Sequence, residues 1–232
     1  VKAAYKQALI VGAGAGLSAS LARLFAAKGL SVRLAARDSA KLAALAEETG
    51  GKAHGCDASD PASVAGLFDS LDAEGAAPDV VVYNPSARVR GAFAELDPEA
   101  VRKAVQVTAF GGFLVAREAV KRMEPKGSGA ILFTGASASV KGYPLSAPFA
   151  MGKFALRGMA ESLAREVQPK GIHVCHFVID GAIRNPGREE PADKPDSMLD
   201  PDAIARSYWH ALEQDRSAWT FEIALRPWVE RF

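Results

Sequence analysis

The sequence predicts an α/β protein in which a parallel sheet is buried between layers of helices, and three observations carry that expectation. Short apolar runs rich in β-branched residues alternate with longer Ala-, Leu-, Glu- and Lys-rich stretches of helical spacing. The runs are continuously apolar instead of alternating, so both of their faces need cover. The gaps between elements are short and marked by glycine or proline, as compact strand-to-helix units require.

In chain order, residues 8–11 form the first strand and residues 18–28 the helix that returns over it. Residues 32–35 with 39–48, and then 52–56 with 63–72, repeat the unit twice. A Val-Val-Val-Tyr strand at residues 80–83 leads into a long helix over 98–123. Residues 130–133 lead into a helix over 149–167, and residues 172–179 make the longest strand. A helix over 201–213 and a strand over 221–225 follow. Nothing before residue 180 reads as a linker, so residues 1–232 are read as one domain. Residues 184–200 are the exception, because Pro186, Gly187, Pro191 and Pro195 sit there among charges without apolar periodicity. That segment is either a solvated surface loop or a mobile flap over a site.

Lys plus Arg total 28 and Asp plus Glu 27, a formal charge of +1 on a chain that is 49% hydrophobic. That balance argues against binding nucleic acid or an anionic membrane surface, since neutralising phosphates needs surplus Lys and Arg. It also excludes disorder, because there is ample Val, Ile, Leu and Phe to bury. Cys56 and Cys175 are too few for a disulfide framework and fit a reducing compartment, so a cytoplasmic protein is expected. No stretch approaches the roughly 18–20 apolar residues of a membrane span, and residues 1–5 lack the layout of a signal peptide.

The most informative motif lies between the first strand and its helix: Gly12-Ala13-Gly14-Ala15-Gly16-Leu17-Ser18. Glycines there let the chain turn tightly and bring backbone amides to a pyrophosphate, while the following helix aims its partly positive N-terminus at the same anion. A tight turn without a ligand is the competing reading of this motif taken alone. Walker-type phosphate binding has no support, as no Gly-Lys-Ser/Thr follows. The second strand ends in Ala36-Arg37, where an adenosine ribose would lie. A guanidinium there suits a 2′-phosphate and favours NADP(H) over NAD(H), although Asp38 could pair with Arg37 or contact the ribose itself.

At this point the chain resembles the short-chain dehydrogenase/reductase family. Gly12, Gly16 and Ser18 stand in its glycine motif, with Ser for the last Gly. Cys56-Asp57-Ala58 stands where the family has an adenine-binding Asp, and Tyr83-Asn84-Pro85-Ser86 where it has Asn-Asn-Ala-Gly. Asp180-Gly181-Ala182-Ile183 stands where its backbone touches the nicotinamide carboxamide. The resemblance implies a Rossmann-type doubly wound parallel sheet of about seven strands with helices on both faces. It assigns cofactor contacts to Gly12, Gly14, Gly16, Leu17, Ser18, Arg37, Asp57, Ala58, Asn84, Lys153, Asp180, Gly181 and Ile183.

The same resemblance implies a catalytic set from which this chain departs. The family's proton-moving Tyr falls at Phe149, which cannot donate or take a proton. Its Ser falls at Ala136, beside Ser137 and near Ser139, and a slip of one residue presents Ser137. Its Asn falls at Thr108. Lys153 alone is unchanged, and its second family role, holding the nicotinamide ribose, needs no Tyr. An enoyl-reductase arrangement would need a Tyr at position 146, which is Ser146, while Tyr143 lies on a presumed loop where it either reaches substrate or covers the sheet end.

His173, Cys175 and His176 tempt as metal ligands, but on a strand the first two share a face and His176 points to the other, so no metal is expected. His54 and Cys56 share a face without a further ligand pair. Trp209, Trp219 and Trp228 with Tyr208, Phe221 and Phe232 concentrate aromatics late in the chain, where they would pack on the sheet edge or a partner subunit; a homodimer or homotetramer is expected. The expected function is an NADP(H)-binding oxidoreductase acting on an unidentified small carbonyl or alcohol. In it Ser137 orients the substrate oxygen, Lys153 holds the ribose, and water or another group supplies the proton. The alternative is a nucleotide-binding redox sensor or partner subunit that lacks the proton-donating Tyr. A hydrolase is disfavoured, as no G-x-S-x-G elbow with an Asp/His pair is present.

Overall fold

The computed structural model describes residues 5–230; Phe232 and most of the residues 1–5 considered above lie outside them. Strands β1 (Gln7–Val11), β2 (Ser31–Ala36), β3 (Lys52–Gly55), β4 (Val80–Tyr83), β5 (Gly129–Thr134) and β6 (Ile172–Ile179) fall within a residue or two of the expected runs. With an edge strand Glu222–Leu225 they form one seven-stranded sheet in which every pairing is parallel. Its order is β3-β2-β1-β4-β5-β6 followed by that edge strand. All four residues of β4 and all eight of β6 are buried, as cover on both faces demands. Alternate residues feed two cores: Leu9, Val11, Val81 and Tyr83 face one helical layer, and Ala8, Ile10, Val82 and Phe177 the other.

The helices are α1 (Leu17–Ala27), α2 (Ala43–Thr49), α3 (Pro61–Ala73), α4 (Pro98–Val105), α5 (Gly111–Met123), α6 (Ala147–Val167) and α7 (Pro201–Leu212). Three of them begin with the same device, an Asp cap followed by Pro at the first helical position. Asp60 accepts from the amides of Ala62 and Ser63, Asp97 from those of Glu99 and Ala100, and Asp200 from that of Asp202.

Two expectations are corrected. The helix expected over 98–123 is broken by a π-helical turn, Gln106–Phe110, between α4 and α5. Long-range contacts impose it: the Tyr83 hydroxyl donates to the Val107 carbonyl at 2.5 Å, and α5 comes so close to the loop after β3 that a Cβ on Gly111 would lie 2.6 Å from the Ala58 carbonyl oxygen. The segment 184–200 is not wholly irregular, because β7 (Ala182–Ile183) pairs in parallel with β8 (Met198–Leu199). The edge strand Glu222–Leu225 is therefore β9.

Gly111→Ala is expected to cost about 3 kcal/mol of stability through overpacking, because the added methyl meets both Tyr83 Oη and backbone. Gly66→Ala, also helical but with open space around its Cβ direction, is the control and should hold or raise stability. Urea unfolding of both variants checks this; equal stabilities would refute the close approach.

On β6, His173 Nε2 lies 2.9 Å from the Thr220 carbonyl and its ring stacks on Trp219 at 4.7 Å. His176 Nδ1 lies 3.0 Å from Glu222. Trp209 packs on Phe25, whereas Trp228 is 82% exposed and donates to Asp196. Among the described residues no helix is long and apolar enough to cross a membrane.

Candidate cofactor and substrate site

The chain winds outward from β1 to β2 and β3 and then returns to place β4 on the other side of β1. At such a reversal the loops leaving the C-terminal strand ends diverge and open a crevice. Two cavities lie there, one of about 540 Å³ beside the β2 and β3 ends and one of about 860 Å³ beside the β5 and β6 ends. Asn84 and Ser86, from the loop after β4, line both.

The glycine turn runs between the cavities. Gly12 has φ +77°, and a Cβ there would lie 2.7 Å from Pro85, so only glycine fits. Its amide and that of Ala13 both donate to the Ala35 carbonyl, at 2.9 and 3.0 Å. Gly12 lines the smaller cavity, Gly16 and Leu17 the larger. Gly14 lines neither, and nothing lies within 4 Å of its Cβ direction. Helix α1 starts at Leu17 with no side-chain cap, which leaves its first amides to an anion. Ser18 is buried and lines neither cavity: its hydroxyl donates to the Gly12 carbonyl at 3.2 Å and accepts from Asn84 Nδ2 at 2.7 Å. It ties the turn to the β4 loop. This cradle, open at Gly14 and flanked by uncapped amides, fits a dinucleotide.

At the smaller cavity Arg37 is exposed, and Lys103 joins it on the lining. Asp38 pairs with Lys41 at 3.3 Å instead of with Arg37. Asp57 and Ala58 line the same cavity. Hydrogen bonds from the Ser59 hydroxyl and amide, with a further contribution from Arg37, hold the Asp57 carboxyl below the usual range.

Lys153, 2% exposed, projects from α6 into the larger cavity and donates to the Thr134 carbonyl at 2.6 Å. Burial, and then the charge of Arg88, pull its pKa down to about 7. Phe149, one turn earlier on α6, lines the same cavity, with the Arg88 guanidinium 4.3 Å from its ring centroid. Ser137 lines the cavity, whereas Ser139 is buried and accepts from the Ala136 amide at 3.1 Å. Tyr143, Asp180, Gly181 and Ile183 are also on the lining. Asp180 is engaged by Lys141 at 3.5 Å.

Thr108 is not brought to either cavity. Fully buried in the π-helical turn, it accepts from the Ala87 amide at 3.1 Å and packs on Gly152. It props the β4 loop.

The sequence reading missed Arg88, Arg90, Asn185 and Arg188, all on the lining of the larger cavity. A Cβ on Gly16 would lie 3.6 Å from that of Asn185, so the segment after β7 closes over the glycine turn. The alternation Arg88-Val89-Arg90 was the one available signal, since residues two apart on extended chain share a side.

Comparison with known proteins agrees with this geometry. The family model for short chain dehydrogenases matches residues 6–191. The chain is a member of the short-chain dehydrogenase/reductase family. A probable 2,4-dienoyl-CoA reductase of Caenorhabditis elegans is 33% identical over 175 residues, which cover 72% of this chain and 57% of that protein. The chain spans about six-tenths of the length of such curated relatives. The crystal structure of a short-chain dehydrogenase from Rhodopseudomonas palustris is 36% identical, with a TM-score of 0.83 over 96% of this chain and 99% of that one. A metagenomic short-chain oxidoreductase in complex with NADP is 25% identical, with a TM-score of 0.82 over 97% and 98%. Membership accounts for the Rossmann-type sheet and places the crevice where members of this family bind a nicotinamide nucleotide.

Proposed function

We propose that this short-chain oxidoreductase uses NADP(H) in preference to NAD(H) and acts on a carbonyl or alcohol held in the cavity of about 860 Å³. The observation that carries the reading is the pair of adjoining cavities with the glycine turn between them, Arg37 at one end and Lys153 at the other. Arg37 and Lys103 supply the positive charge that a 2′-phosphate needs. The NADP complex of the metagenomic relative supports the choice. When bound, the nicotinamide supplies or accepts the hydride. Ser137 orients the substrate oxygen, Lys153 holds the ribose, and water or another group delivers the proton to the substrate oxygen on reduction and takes it up on oxidation. Exposed Phe110, Phe113, Met151 and Phe154 support assembly as a homodimer or homotetramer, and the buried thiols Cys56 and Cys175, joined in no disulfide, support a cytoplasmic protein. Light scattering that returns the mass of a lone protomer would overturn the assembly.

Titration with NADPH and NADH, followed by nucleotide fluorescence, tests the cofactor. NADPH should bind about tenfold or more tighter, and Arg37→Ala should remove that margin, since a charge-assisted hydrogen bond is worth roughly 1.5–3 kcal/mol. Binding of neither nucleotide would sink the reading.

A further inference from the structure

The larger cavity is lined by more positive than negative side chains. Arg88, Arg90 and Arg188 line it together with Lys153, whereas its acidic lining consists of Asp180 and Glu230. Asp180 is already committed to Lys141 at 3.5 Å and Arg226 at 3.9 Å. Among the described residues, none of the three guanidiniums has a carboxylate within 4.0 Å, although pairing is the rule for arginines elsewhere in the chain, as with Arg23, Arg122 and Arg157. Like charges gathered in one cavity repel, and the arrangement is stable only at a cost unless an anion joins them.

Their placement is specific. Arg88 and Arg90 come from the loop after β4, and Arg188 from the segment between β7 and β8, so two distant stretches converge on one wall. Arg88 is seated on the Phe149 ring, a cation–π contact that orients the guanidinium and leaves its edge donors to a ligand. Desolvation, then Arg188 and Arg90, lower the pKa of Arg88, which places the three charges within electrostatic reach of one another. A planar guanidinium fork is matched to the two oxygens of a carboxylate or phosphate.

From this geometry we infer that the substrate is an anion: a carbonyl or alcohol compound whose carboxylate or phosphate group is held by Arg88 and Arg188, with Arg90 adding charge at the cavity wall. The inference rests on the larger cavity being the substrate site, as proposed above. Phe149 then has a positive task, as the platform for the anion-binding arginine. The three arginines lie in the substrate cavity, and Arg37 and Lys103 in the other, so this site is separable from the 2′-phosphate site.

Calorimetric titration of the NADP-saturated protein with two matched pairs tests this: acetoacetate against methyl acetoacetate, and dihydroxyacetone phosphate against dihydroxyacetone. The anion of one or both pairs should bind about tenfold to a hundredfold tighter than its uncharged counterpart, and the pair with the larger margin tells carboxylate from phosphate. Arg88→Gln and Arg188→Gln should each remove about tenfold of that margin and leave the uncharged ligands and the NADPH affinity unchanged. Arg88→Lys, which keeps the charge and loses the fork, should fall between. Equal binding of charged and uncharged members, binding of neither anion, or an NADPH affinity that falls in step with that of the anion would each overturn the inference. Should the separate nucleotide titration show no cofactor binding, the same pairs titrated into nucleotide-free protein still read the anion site, so failure of the cofactor reading and failure of this one are distinguishable.

Discussion

Phe149→Tyr is expected to raise the turnover of NADPH with a reducible carbonyl by about a hundredfold to ten-thousandfold, the usual contribution of a positioned general acid. The expectation rests on the reading that position 149 is where the family carries its proton-moving hydroxyl. The surroundings for that hydroxyl are present: Phe149 and Lys153 are one helical turn apart on α6 and line the same cavity, and Arg88 lies 4.3 Å from the ring centroid. Two neighbouring positive charges favour the ionised phenol and so bring its pKa toward neutrality. Single-turnover and steady-state rates on the two proteins decide the matter. A variant that binds NADPH as the parent does and turns over no faster would show that proton delivery does not limit the reaction.

The second large effect concerns Lys153 and pH. Its ammonium is buried without a carboxylate partner, hydrogen-bonded to the Thr134 carbonyl, and its pKa is pulled from 10.5 to about 7 by burial and Arg88. Below about pH 7 the amine is charged in both folded and unfolded chains, and the folded protein bears the cost of burying it. Between about 7 and 10.5 the unfolded chain binds more protons, so stability rises with pH; above that range both forms are neutral and the gain is complete. Integrated from pH 6 to pH 9, this one group adds roughly 3 kcal/mol. Lys153→Met keeps most of the side-chain volume and removes the titration, so its urea-unfolding free energy should lack that rise. The difference between parent and variant isolates Lys153 from other titrating groups. Parallel pH profiles would mean that the folded protein holds Lys153 near its ordinary pKa.

Much of this architecture is local information. The continuous apolar runs of β1, β4, β5 and β6 announce burial on both faces, and burial on both faces with helical returns is enough to specify a parallel sheet. The glycine turn is equally local, because the positive φ of Gly12 is a backbone conformation that side-chain-bearing residues rarely adopt. Arg37, named from the end of the second strand, and Asp57, Asn84, Lys153 and Gly181, named from the family resemblance, all line one or both cavities, the loop residues within two positions of a strand end and Lys153 on α6. Ser137 was legible only as one of three neighbouring candidates, Ala136, Ser137 and Ser139. The fold decided among them by turning Ser139 inward to the Ala136 amide.

The rest depended on contacts between residues far apart in the chain. Periodicity reads residues 98–123 as one helix; the π-helical turn arises because Tyr83, on another element, captures the Val107 carbonyl. Ser18 and Thr108 carry polar groups suited to a ligand, and their directions are set by Asn84 and Ala87, which draw them into the scaffold. The arginines at 88, 90 and 188 share no motif, and their meeting in one cavity depends on how two loops cross the end of the sheet. Sequence alone thus determined the layers and the glycine turn, both of which follow from burial pattern and backbone sterics within a few residues, while the order of the strands came into view only with the structure. Tertiary structure alone decided which polar side chains face the crevice and what charge they present there, because orientation and electrostatic sum are properties of neighbours that the chain brings together only on folding.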